Sequence, residues 1–201
     1  MLHRSLHGIY PQIDECHFLK LTQKLGYIWQ SYSFKMPTSI HGWNNELKIL
    51  VAGVGNLLKS DDGLGPHVIE RLKEVKLPDN VDAMDLGTSG MDILHHSENY
   101  DKVIFVDAIR LGKPPGTVYR IKPREVQVTD NEVRDVIYMS MHEIDLERVI
   151  SLGRRLGKMP ENLIIIGCEP KETGRMKIGL TEEVSSGVPN IIRLVLEEIE
   201  R

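Results

Sequence analysis

Residues 47–66 read LKILVAGVGNLLKSDDGLGP. The opening LKILVAGV (47–54) is a near-continuous apolar run, the pattern of a strand covered on both faces. The remainder, GNLLKSDDGLGP (55–66), sets Gly55, Gly63, Gly65 and Pro66 around two adjacent carboxylates, Asp61 and Asp62. A strand ends here and a helix begins shortly afterwards. Carboxylates at such a junction have two uses. One is to cap the helix, where aspartate is favoured over alanine by about 1 kcal/mol. The other is to hold a metal.

Outward from this stretch, strand and helix patterns alternate. Leu64, Val68, Ile69 and Leu72 recur at helical spacing and predict a helix over 62–76. VDAMDLG (81–87) predicts a second strand, SGMDILHHSEN (89–99) a short helix, and KVIFVDAI (102–109) a third, doubly covered strand. GKPPG (112–116) is a turn, and TVYRIKP (117–123) alternates as an edge strand does. Residues 124–139 carry no decisive pattern. A helix over 141–157 places Leu146, Val149, Ile150 and Leu156 on one face, with Ser140 and Glu143 in a capping-box pattern. NLIIIGCEP (162–170) is the last strand. Thr181 is expected to cap a C-terminal helix that Pro189 kinks or splits. This order predicts an α/β fold: three layers, α/β/α, with a mostly parallel twisted sheet of about five strands and helices on both faces.

Composition narrows the class. The 201 residues suffice for one sizeable domain, and 41% hydrophobic with 27% charged residues is ordinary for a globular protein. A net charge of −4 implies no general attraction to nucleic acid or to anionic membranes. No stretch approaches the ~18 consecutive apolar residues of a membrane span, and the N-terminus lacks a signal-peptide core. Cys16 and Cys168 stand far apart with no C-x-x-C spacing, which argues against thiolate zinc sites. Both are read as free thiols in a cytoplasmic protein, expected to be a monomer. The chain divides near residue 46. Residues 1–46 form an irregular N-terminal extension of unknown role, with one short amphipathic helix, HFLKLTQKLGYIWQSY. The extension is either flexible or an over-called start, Met36 being the alternative first residue. Residues 47–201 form the domain.

In an open α/β sheet, ligands bind outside the carboxyl ends of the strands. The polar residues placed there are Asn56, Asp61 and Asp62 after the first strand, and Asp85, Gly87, Thr88, Ser89 and Gly90 after the second. Asp107 closes the third strand, His142 lies in the first turn of a later helix, and Glu169 follows the last strand. Asp107 stands inside an apolar run, where an ionised carboxylate is costly unless paired or ligating. Its plain alternative is a strand-end aspartate bonded to backbone amides. Asp62 can equally be a helix cap, and His142 an ordinary surface histidine among eight. Taken together, two carboxylates and one imidazole make a three-ligand set with an open position. Mixed oxygen and nitrogen donors suit borderline first-row metals, nickel and zinc among them. The glycines at 87 and 90 allow a peptide to approach the backbone closely, or else form a plain strand–helix turn. A dinucleotide reading of GVGNLL fails on its third glycine, replaced by Leu58.

GVGNLLKSDDGLGPHVIERL, DLGTSGMDIL, VIFVDAI, MSMHEIDL and IIIGCEP…IGLTEEV, in this order, resemble the nickel–iron hydrogenase maturation endopeptidases. The resemblance runs from about Leu47 to the C-terminus; residues 1–46 have no counterpart. It implies cleavage of a C-terminal extension from the hydrogenase large-subunit precursor once nickel is in place. It implies that Asp62, Asp107 and His142 contact that metal, with the first position varying between Glu and Asp across the family. The nickel arrives with the substrate, so no permanently bound cofactor is expected. Asn56, Asp61, Gly87, Thr88, Ser89 and Gly90 become expected substrate contacts, with Asp61 or Ser60 free to cap the helix. The family is sometimes grouped with aspartic endopeptidases, yet this sequence displays no proton-sharing dyad. A non-cleaving nickel-dependent chaperone or scaffold is the alternative.

Overall fold

The computed structural model describes residues 47–127 and 146–201. Strand β1 (Ile49–Gly53) is followed by a 3-10 turn (Ser60–Gly63) and helix α1 (Leu64–Leu72). Then come β2 (Val81–Asp85), α2 (Gly90–Ser97), β3 (Lys102–Ala108) and β4 (Val118–Ile121). Helix α3 (Leu146–Arg155), β5 (Asn162–Cys168) and α4 (Glu182–Ile199) complete the described elements. The strands form one sheet in the order β2-β1-β3-β5-β4. The pairs β1–β2, β1–β3 and β3–β5 are parallel, while β4 lies antiparallel on β5 at the edge. The mostly parallel sheet is therefore as expected, and mixed only at that edge.

Alternation along the three central strands builds two cores. Leu50, Ala52, Val103, Phe105, Leu163 and Ile165 share one with Ile93 and Leu94 of α2 and Val149, Ile150 and Leu152 of α3. Ile49, Val51, Ile104, Val106, Ile164 and Ile166 share the other with Leu64, Val68, Ile69 and Leu72 of α1 and Val184, Ile191 and Val195 of α4. Successive strand residues point to opposite faces, so an uninterrupted apolar run supplies both cores at once. Burial of one such side chain contributes about 1.5–3 kcal/mol.

Several local expectations need correction. Leu156 is 48% exposed and lies beyond α3; Leu152 takes its place in the core. Helix α1 starts later than expected, because Ser60 adopts φ +52° and the chain first makes a 3-10 turn. Its N-cap is Gly63, with no side-chain capping bond, so neither Ser60 nor Asp61 caps it. Thr181 stands at the N-cap position of α4 but makes no capping bond. Pro189 does not split α4, which continues to Ile199. Val184 before it and Ile191 and Val195 after it are pinned in the same core, which holds the helix together across one missing backbone bond. The N-terminal extension, the capping box at Ser140 and Glu143, and the first turn of the helix expected from 141 lie outside the described residues. Among the described residues, no helix is long and apolar enough to cross a membrane.

Buried charge adds a brace that sequence reasoning missed. Lys102 at the start of β3 is 2% exposed and pairs with Glu198 of α4 at 3.0 Å. Arg120 of β4 reaches the other oxygen of Glu198 at 2.5 Å. Burial alone would raise the Glu198 pKa, but the two cations hold it below the usual carboxylate range.

Candidate active site

The close fit of α1 against the sheet shapes the end of β1. A Cβ added to Gly65 would lie 2.4 Å from Val54 N and 2.6 Å from Val106 O. Only glycine permits that approach, and it brings the 3-10 turn down onto the carboxyl ends of β1 and β3. Gly55 turns the chain with φ +128°, where a side chain would collide with Asp62 O.

A cleft of about 770 Å³ opens at this end of the sheet. Asp62 and Asp107 both line it, together with Gly55 and Thr88. Asp62 comes from the 3-10 turn and Asp107 from the end of β3, so the crossover connection joins residues far apart in sequence. Both are partly exposed. Asp62 Oδ2 accepts the Asn56 N–H at 3.1 Å, while Oδ1 takes no hydrogen bond from any described residue. Asp107 Oδ1 accepts the Ala108 N–H at 2.7 Å. Three cationic side chains that sequence reasoning did not single out, Lys59, Arg110 and Arg124, also line the cleft. Arg110 hydrogen-bonds Thr173 Oγ1 at 2.6 Å. These cations lie in connections, where no periodicity marks a residue; the one clue is that Arg110 follows two residues after the strand end.

His142 lies outside the described residues. Among the described residues, no group of three or more His, Cys, Asp or Glu side chains could hold a metal ion.

The other expected contacts separate. Asn56 orients rather than lines: its N–H holds Asp62, and its Oδ1 accepts the Leu58 N–H at 2.9 Å. Thr88 reaches the cleft. Ser89 is the N-cap of α2 and accepts the Asp92 N–H at 3.3 Å. Gly87 supplies a turn at φ +57°, its carbonyl accepting the Gly55 N–H at 2.9 Å, and Gly90 is buried in the first turn of α2. Asp85 is exposed and accepts the Gly87 N–H.

Asp61 is fully buried and saturated. Oδ1 accepts the Thr181 N–H at 2.7 Å. Oδ2 accepts the Lys171 and Glu172 N–H groups, each at 2.9 Å, and the Thr181 hydroxyl at 3.0 Å. Its carboxylate is thus turned inward, tying the 3-10 turn to the segment before α4. Glu169, 5% exposed, plays a similar part for the loop after β3, accepting from Leu111 N–H at 2.8 Å, Gly112 N–H at 3.1 Å and Tyr119 OH at 2.5 Å. Burial pushes its pKa up, but Tyr119 and the loop amides outweigh burial and hold it at about 2. Tyr119 is pushed up to about 12, by burial first and then by this bond. Cys168 beside it is buried, and its thiol is raised to about 11 by burial and then by Asp61 and Glu169, which leaves it inert.

Known proteins resemble this chain in sequence and fold. The hydrogenase maturation protease family model matches residues 66–198. The hydrogenase 2 maturation protease of Escherichia coli (strain K12) is 35% identical over 153 residues, covering 75% of this chain and 89% of that protein. Among solved structures, the hydrogenase 2 maturation peptidase from Thaumarchaeota archaeon SCGC_AB-539-E09 is 39% identical, with TM-score 0.56, covering 75% of this chain and 96% of that one. The hydrogenase maturating endopeptidase HybD from E. coli is 31% identical, with TM-score 0.61, covering 77% and 93%. The family model takes in α1 from Pro66 and the end of β3 with Asp107, while Asp62 precedes it. With about two thirds of the chain matched and a relative 35% identical over 153 residues, this chain belongs to the hydrogenase maturation protease family.

Proposed function

We propose that this chain is the endopeptidase that removes a C-terminal extension from the large-subunit precursor of a nickel–iron hydrogenase after nickel insertion. The observation that carries the reading is the convergence of Asp62 and Asp107 on one cleft in a chain of this family. The nickel is part of the substrate, and the enzyme needs no resident metal. Asp62 Oδ1 is a donor atom with no internal commitment, and Asp107 lies across the same cleft. His142 is assigned as the third contact.

Hydrolysis breaks the peptide C–N bond, adds water oxygen to the carbonyl carbon and delivers a proton to the leaving nitrogen. Nickel carried by the precursor would supply Lewis-acid polarisation of the carbonyl, or serve only as the handle by which the loaded precursor is recognised. A carboxylate takes the proton of the attacking water and returns it to the amine. Asp62 and Asp107 hold the substrate's metal, one of them also serving as the base for the water, and no proton-sharing dyad is needed. The reaction is placed in the cytoplasm, with a monomeric enzyme and no nucleic acid or membrane insertion.

The test is mass spectrometry of a cognate precursor incubated with the protein, nickel-loaded and nickel-free side by side. Loss of a C-terminal peptide from the loaded form alone is the expected result. An uncut, verifiably loaded precursor overturns the protease reading in favour of a non-cleaving nickel-dependent chaperone.

A further inference from the structure

Beside the cleft, two connections are stitched together. Lys177 N–H donates to Leu58 O at 2.9 Å, Ser60 N–H donates to Lys177 O at 2.7 Å, and Lys59 and Lys177 form a parallel bridge. Asp61 anchors the same two segments from within, through the N–H groups of Lys171, Glu172 and Thr181. A backbone held this firmly nevertheless displays Leu57 (41%), Leu58 (47%), Met176 (74%) and Ile178 (75%) to solvent. Four of the nine strongly exposed large apolar side chains among the described residues fall here, and the other five stand on separate segments. Scattered apolar residues are normal on a surface, whereas a cluster marks a binding site. The parallel bridge places Leu58 opposite Met176, so the two segments form one patch.

Two further features identify the occupant. Lys59 and Lys177 adjoin the apolar residues in sequence and pair with one another across the bridge, and among the described residues neither ammonium forms an ion pair. Lys59 also lines the cleft, so the segment that carries Leu57 and Leu58 borders the site. We propose that the patch is the docking surface for the substrate precursor, which presents an apolar spot with an acidic rim and so delivers its scissile segment to Asp62 and Asp107. The inference rests on the protease reading and names where the partner sits. A second copy fits poorly, because a two-fold contact here brings Lys59 and Lys177 of both copies into one interface with no anionic partner among these residues. An anionic membrane fits poorly on a chain of net charge −4.

The decisive variants are the double substitution Met176→Ser/Ile178→Ser and the single Lys177→Glu, with the nickel-loaded precursor from the same cells as probe. The serine pair is expected to raise KM about tenfold with kcat unchanged. Lys177→Glu is expected to raise KM at low salt, with the effect shrinking as salt is added. Unchanged KM in both variants, with the wild type cleaving, overturns the docking surface. If the wild type cleaves nothing, direct binding of the same precursor decides. Binding weakened in the serine variant supports docking even as the protease reading fails; binding equal in both proteins, or absent from the wild type, overturns it. Loss of phosphatidylserine-vesicle binding in the serine variant with precursor binding intact likewise overturns it, in favour of a membrane surface.

Discussion

Asp61 and Glu169 on one side, and Asp62 and Asp107 on the other, all stand at the carboxyl end of the same sheet. The first two are buried, and each accepts hydrogen bonds on both oxygens. The other two are partly exposed and line the cleft. Asp61 and Asp62 are chain neighbours, so neither composition nor local propensity separates them. What separates them is the number of donors the fold aims at each. A carboxylate saturated by backbone amides is a brace, because its lone pairs and its charge are already used. A carboxylate with an uncommitted oxygen at a cleft can meet a substrate.

That contrast can be broken experimentally. The largest effect is expected for Asp107→Asn, which should cut the cleavage rate by about 10²–10⁴-fold while circular dichroism and the thermal midpoint stay as in the wild type. A folded Asp107→Asn protein that cleaves normally removes Asp107 from the site. Next is Asp61→Ala, which leaves three backbone N–H groups without their acceptor. Each buried orphan donor costs about 1–3 kcal/mol, so urea unfolding should show a loss of about 3 kcal/mol or more. A stability change under 1 kcal/mol, roughly one orphan's worth, would place Asp61 with the substrate contacts after all.

Glu169 sharpens the contrast through pH. Its folded pKa is held at about 2, below the unfolded value of about 4.3. The stability it contributes is therefore fully present above about pH 4.3 and drains away as pH falls towards 2. Urea midpoints recorded across that window should fall for the wild type, with part of the slope absent from Glu169→Gln. Identical slopes would deny Glu169 its role as a brace. The smallest effect belongs to a carboxylate outside both sets. Glu70 pairs with Lys73 at 2.6 Å on the surface, with side chains 72% and 63% exposed, so Glu70→Ala should shift stability by no more than about 0.5 kcal/mol.

The layered α/β architecture could be read from the chain because its signals are local. An apolar run such as VIFV or LIII is long enough to serve both faces of a sheet, and α1 carries its apolar residues at helical spacing. The edge position of β4 followed from the alternation in TVYRIKP. The same reasoning gathered Asp62 and Asp107, since strand ends are where a parallel sheet exposes polar groups. It failed where partners come from elsewhere in the chain. The helix end before Leu156 is marked locally, by Gly157 at φ +67°, a signal that sequence reasoning overlooked, whereas nothing near Thr181 reveals that its hydroxyl answers a carboxylate 120 positions away. By itself, then, the sequence determined the layers, the strand ends and the placing of Asp62 and Asp107 at those ends. Only the tertiary structure decided which of two adjacent aspartates is spent inside and which faces the cleft, because hydrogen-bond saturation depends on donors that folding brings from distant segments.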